Sequence, residues 1–215
     1  MEMSAVRPRS ARVAGPLTAA ALLSTPVFLW AIVRPQLSGP GLYDHDGHLP
    51  TILTHLIGGS IMLLAGAIAL RIGITRRWMG WHKRAGYTYL AAGAAAALSG
   101  IVASFGTPHA IGLSTFTLGL VWLAAAALAL RAVLNRRFDQ HRAWMIRSYT
   151  VAWASIIFRL WTHLLPASWQ FPPTDMLWTS WVMPLFLAEV LLQWKAGAAV
   201  SKARESSTTL AQATA

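Results

Sequence analysis

Six apolar stretches, each roughly 20 residues long, leave this chain few folds to choose from. They run Leu17–Val33, Thr51–Leu70, Gly86–Phe105, Leu113–Val133, Trp144–Leu165 and Leu177–Trp194. A helix of about 20 residues crosses a hydrocarbon core ~30 Å thick. The other spanning structure is a closed barrel, which needs alternating strands of ~10 residues, and no such alternation occurs. Only 12 % of residues are charged, about half the fraction of a soluble domain, and the mean hydropathy is +0.49. Much of the surface is therefore expected to face lipid. The sequence predicts an all-α bundle of six transmembrane helices. The first stretch lacks a small-x-small cleavage site before Phe28, Leu29 and Trp30, so it reads as a span rather than a signal peptide.

A net charge of +11 raises the question of nucleic acid, and the placement of the charges answers it. Arg7, Arg9 and Arg12 precede the first span. Arg71, Arg76, Arg77, Lys83 and Arg84 surround the connection between the second and third. Arg131, Arg136, Arg137, Arg142 and Arg147 bracket the connection between the fourth and fifth, and Lys195, Lys202 and Arg204 follow the sixth. With six spans these groups fall on one side, which is the positive-inside pattern. Both termini are expected in the cytoplasm and the protein in the cytoplasmic (inner) membrane. The basic groups would meet anionic lipid headgroups, and nucleic acid is not an expected partner. One transmembrane domain, residues 15–197, is expected between a cytoplasmic tail, 1–14, and a small, polar, disordered tail, 198–215.

There are no cysteines. That excludes disulfides, thiolate metal sites, iron–sulfur clusters and c-type haem attachment. No phosphate-binding glycine loop, no His-Glu-x-x-His helix and no Ser–His–Asp set at one depth is present, so hydrolysis and nucleotide-driven transport have no support. Carboxylate and imidazole meet in Tyr43–His48, where Asp44, His45, Asp46 and His48 are candidate metal ligands. A short flexible loop with Gly47 is more often simply solvated.

The histidines carry the remaining chemistry. His55, Gly59, Met62 and Gly66 share a helical face, as do His82, Gly86, Tyr89, Gly93 and Gly100. His141, Met145, Ser148, Ala152, Ser155 and Arg159 form a third such stripe. Small residues let membrane helices pack closely with or without a ligand. They would also leave room for a porphyrin, and haem b needs only axial imidazole and an apolar pocket. His82 and His141 each lie about one turn inside the cytoplasmic boundary, so they are the leading axial pair. His55 lies near the outer boundary, with His109 or His163 as partner. Arg159 could hold a haem propionate or a quinone carbonyl. Glu189, the deepest acidic group, lies ~12 Å from Arg159 in height, too far for a direct salt bridge.

Two resemblances follow. "HLIGG" at His55, "WMGWHKRAGYTYL" around His82 and "HRAWMIRSY…FRLW" from His141 to Trp161 resemble the bacterial predicted membrane proteins of domain-of-unknown-function family 2306, from about Thr51 to His163. That resemblance implies a multi-pass inner-membrane protein and no established activity. In architecture alone, His55, His82, His109 and His141 at the heads of consecutive helices resemble the six-helix di-haem transmembrane cytochromes that reduce ferric iron or recycle ascorbate. His109 departs from that pattern by following Pro108 in a connection. The 22 residues from His141 to His163, about 33 Å of helix, would also set two haem layers far apart.

These readings leave two expectations. One is a b-type haem protein, a membrane oxidoreductase component passing electrons between a quinone or other redox partner and the haem. The other is a cofactor-free membrane protein in transport, sensing or assembly, whose His-Arg motifs bind headgroups or lock helix ends.

Overall fold

The computed structural model describes residues 49–169 and 171–213. Every element among them is helical: α1 (Leu49–Thr75), α2 (Met79–Ser104), α3 (His109–Leu134), α4 (Phe138–Ala152), α5 (Ala154–Leu164), a 3-10 turn (Ala167–Trp169) and α6 (Pro173–Ala213). The first apolar stretch, the 1–14 tail and the Tyr43–His48 motif lie outside the described residues. Among the described residues, four helices are long and apolar enough to cross a membrane: α1, α2, α3 and the Pro173–Ala198 part of α6.

The connections 76–78, 105–108 and 135–137 are three or four residues long, so successive helices fold back antiparallel. As a result α2 and α4 run parallel, and the two Arg-rich connections come to the same end. The connection after α3 closes as a Schellman turn. Arg136 N–H bonds Val133 O at 3.0 Å and Arg137 N–H bonds Ala132 O at 2.9 Å, with Arg136 left-handed at φ 57°.

Helix α1 packs along α2, α3 lies on α2 and α4, and α4 closes the ring against α1. Helix α6 covers α4, α5 and α3 from outside the ring. The core gathers Met62, Leu63, Tyr89, Trp122, Val151 and Ile156. Its large side chains are admitted by glycine. A Cβ at Gly93 would collide with the Trp122 ring, and one at Gly66 would strike the rings of Tyr149 and Tyr89.

One expectation changes in detail. The fifth apolar stretch, read as one span from Trp144 to Leu165, is two helices joined at Trp153. Neither half alone is long enough to cross. Thr150 Oγ1 donates back to Ile146 O at 2.8 Å and Ser148 Oγ to Met145 O at 3.2 Å. Hydroxyls that bond the preceding turn bend helices. Trp153 N–H then takes the tighter bond to Thr150 O at 3.2 Å. At the other end α6 runs to Ala213. The Ala, Lys, Arg and Glu residues of Lys195–Glu205 are good helix formers, and polarity alone does not break a helix.

Candidate functional site: histidines held across helix pairs

Three of the candidate histidines make the same bond. His55 Nδ1 on α1 lies 2.8 Å from Ala96 O on α2. His82 Nδ1 on α2 lies 3.1 Å from Ala69 O on α1. His141 Nδ1 on α4 lies 2.9 Å from Ala129 O on α3. A carbonyl can only accept, so Nδ1 carries the proton in each ring and donates it. In the neutral imidazole the other nitrogen, Nε2, then holds a lone pair. A Nδ1–H bonded to a carbonyl is also how proteins orient metal-ligating histidines.

The α1–α2 pair is reciprocal. His55 reaches to α2 and, 14 positions further along each helix, His82 reaches back to α1. The two bonds are thus about 21 Å apart and fix one antiparallel register. Each is a polar contact across helices, worth about 0.6 kcal/mol on average in a membrane.

His82 and His141 lie at one height. Seven residues beyond them on their parallel helices, Tyr89 Oη donates to Ser148 Oγ at 3.0 Å. The same sequence offset relates Gly93 to Ala152 and Ala96 to Ser155, which all line one cavity. Carried back two turns, about 10.5 Å, this register puts His82 and His141 at one height, both half-buried, their rings tied to α1 and α3 respectively. Gly86, one turn from His82 on the same stripe, is open, because a Cβ there would touch nothing within 4 Å.

Between the inner pair and the cavity lies a closed polar knot. Trp122 Nε1 donates to Tyr89 Oη at 3.1 Å, and Tyr89, with no exposed surface, passes its own hydrogen to Ser148. Tyr149 Oη donates to Leu63 O at 3.2 Å.

A cavity lies under His55 and measures about 90 Å³. His55, Gly59, Gly100, Thr115, Trp122 and Ser155 are among its walls. The other candidates for this end are placed further along their helices. His109 begins α3, exposed and six residues before Thr115, about 9 Å along the helix. His163 belongs to the last turn of α5, eight residues past Ser155. Arg159 is half-buried on α5, one turn beyond Ser155.

One feature escaped the sequence reading. Arg147, assigned only to the basic flank of α4, pairs with Glu189 on α6 at 2.7 Å while its guanidinium lies 4.6 Å from the centre of the Trp144 ring. Among the described residues, no three His, Asp or Glu side chains gather as a metal site. A signal for the pair was present: Glu189 was the deepest acid, and Arg147 is one turn deeper than the flank.

Comparison with known proteins gives one result. No curated protein and no solved structure matches the chain. Residues 52–192, about two thirds of its length, match the family described as predicted membrane protein, DUF2306, and the chain belongs to that family.

Proposed function

We propose that this membrane protein binds one haem b between His82 and His141 and serves in electron transfer at the cytoplasmic membrane. The observation that carries the reading is their placement: one height on parallel helices, each ring tied through Nδ1. The donor set suits haem iron, because His82 and His141 would hold it through the Nε2 lone pairs that their Nδ1 bonds leave free. The open Gly86 supplies room that close packing does not require. When bound, haem supplies a reversible one-electron carrier. The chain's own part is to hold both imidazoles in one tautomer and to surround them with apolar helix. In this reading the two Arg-rich connections face the cytoplasm and anionic lipid, as do the termini of a six-span chain. Arg159 belongs to the opposite end and is a candidate for the head of a quinone or other redox partner.

A second reading has its own support. The reciprocal His55–Ala96 and His82–Ala69 bonds account for two histidines as fasteners of one helix hairpin, with no cofactor.

A reduced-minus-oxidised spectrum of the full chain, purified from haem-replete cells, separates the two. The haem reading expects Soret and α bands in the wild type, and their loss in His82→Ala and in His141→Ala. A folded wild-type protein without these bands would sink it. The fastener reading expects those variants to lose only stability.

A further inference from the structure

The cavity under His55 has a chemistry of its own. Gly58, Gly66, Gly93, Gly112 and Gly119 each sit against an atom that a Cβ would strike. Gly59 does not: a Cβ there would meet nothing within 4 Å, although Gly59 lines the cavity. Glycine inside a helix costs about 0.5–1 kcal/mol relative to alanine. Helix packing does not account for it here, whereas open space beneath His55 does.

Two polar groups around that space, His55 and Thr115, act as acceptors, while the Ser155 hydroxyl at the mouth can donate or accept. His55 gives its Nδ1 proton to Ala96 O at 2.8 Å, so the neutral ring keeps a lone pair on Nε2. Thr115 Oγ1 gives its proton to Ile111 O at 3.0 Å and retains lone pairs. Away from the mouth the wall is apolar, built from Met62, Leu63, Ala97, Leu118 and the Trp122 ring. A complementary ligand therefore has an apolar body and a hydroxyl to donate.

Size narrows the class. At about 90 Å³ the cavity is smaller than the ~150 Å³ that accepts a benzene. It takes part of a single ring, and the rest must stand in the mouth, where His55 and Ser155 are exposed. A porphyrin or a fused ring system is too large.

We propose that this cavity binds the phenolic head of a lipid-phase molecule, its O–H donated to His55 Nε2. The site lies at the opposite end of the bundle from His82 and His141 and does not depend on haem there.

The test uses the purified full chain in detergent micelles under reducing conditions, with 4-fluorophenol and fluorobenzene followed by ¹⁹F NMR. Saturable binding of 4-fluorophenol is expected, about three- to tenfold tighter than fluorobenzene, as one hydrogen bond would give. His55→Phe should bring 4-fluorophenol down to the fluorobenzene level. Gly59→Leu should abolish saturable binding of either probe with helix content retained. If Gly59→Leu does not fold, Gly59→Ala, whose Cβ meets no neighbour, should still weaken binding. Non-saturable partitioning that is the same in wild type and in the folded Gly59 variant overturns the site. Equal affinity for the two probes, or no effect of His55→Phe, overturns the hydroxyl assignment.

Discussion

Gly59 and Gly66 lie two turns apart on α1 and answer to different neighbours. Gly66 faces the rings of Tyr149 and Tyr89, which a Cβ would strike, while Gly59 faces open space. Equilibrium unfolding in mixed micelles should therefore show opposite signs. Gly66→Ala should lose about 1–3 kcal/mol, as overpacking does. Gly59→Ala should gain up to ~1 kcal/mol from backbone entropy. Tyr89 adds a polar case. Its hydroxyl accepts from Trp122 and donates to Ser148, so Tyr89→Phe strands two buried groups without opening a large cavity. The same assay should register a loss of about 1 kcal/mol. In the sequence all three residues were legible as members of stripes, but not as different members. A stripe records which way a residue faces, and the neighbour that decides its role comes from another helix.

Helix ends and breaks depend on backbone bonds that hydropathy does not record. The apolar stretches located α1, α2 and α3, yet α2 begins at Met79, seven residues before the stretch that announced it. The Trp-His-Lys-Arg entry is helical although polar. The break at Trp153 was hidden because each residue around it is apolar or small, and the competing hydroxyls of Ser148 and Thr150 leave no mark on hydropathy. The end of α3 shows a backbone demand met by an ill-suited residue. Arg136 holds φ at 57°, a left-handed conformation that glycine adopts freely. Arg136→Gly should raise stability by up to about 1 kcal/mol, because the strain relieved outweighs the freedom added to the unfolded chain. The Arg147–Glu189 pair fastens α4 to α6. A double-mutant cycle reads its coupling: Arg147→Glu and Glu189→Arg should each destabilise, and the combined swap should recover most of the loss. Simple addition of the two losses would show that the pair fastens nothing.

At the scale of the molecule, the sequence placed His82 and His141 at similar depth, each about one turn inside the same boundary. It could not show that each ring is already tied through Nδ1 to a neighbouring helix, since a backbone acceptor has no sequence signature. Nor could it show that the two ends differ. The Arg-rich end holds His82 and His141, each tied to a neighbouring helix, and an open Gly86. The other end offers His55 over about 90 Å³, with His109 a further two turns away along α3. The haem reading therefore carries a stoichiometry: one haem per chain, where a histidine at the head of each helix would suggest two. Pyridine haemochrome assay against protein concentration should give a ratio near one. His55→Ala should leave that ratio and the α-band position unchanged, because its ring lies about 21 Å along the hairpin from His82. His141→Ala should remove the haem altogether. A ratio near two, halved by His55→Ala, would place a haem at the outer end and displace both the single-haem reading and the phenolic site beneath His55.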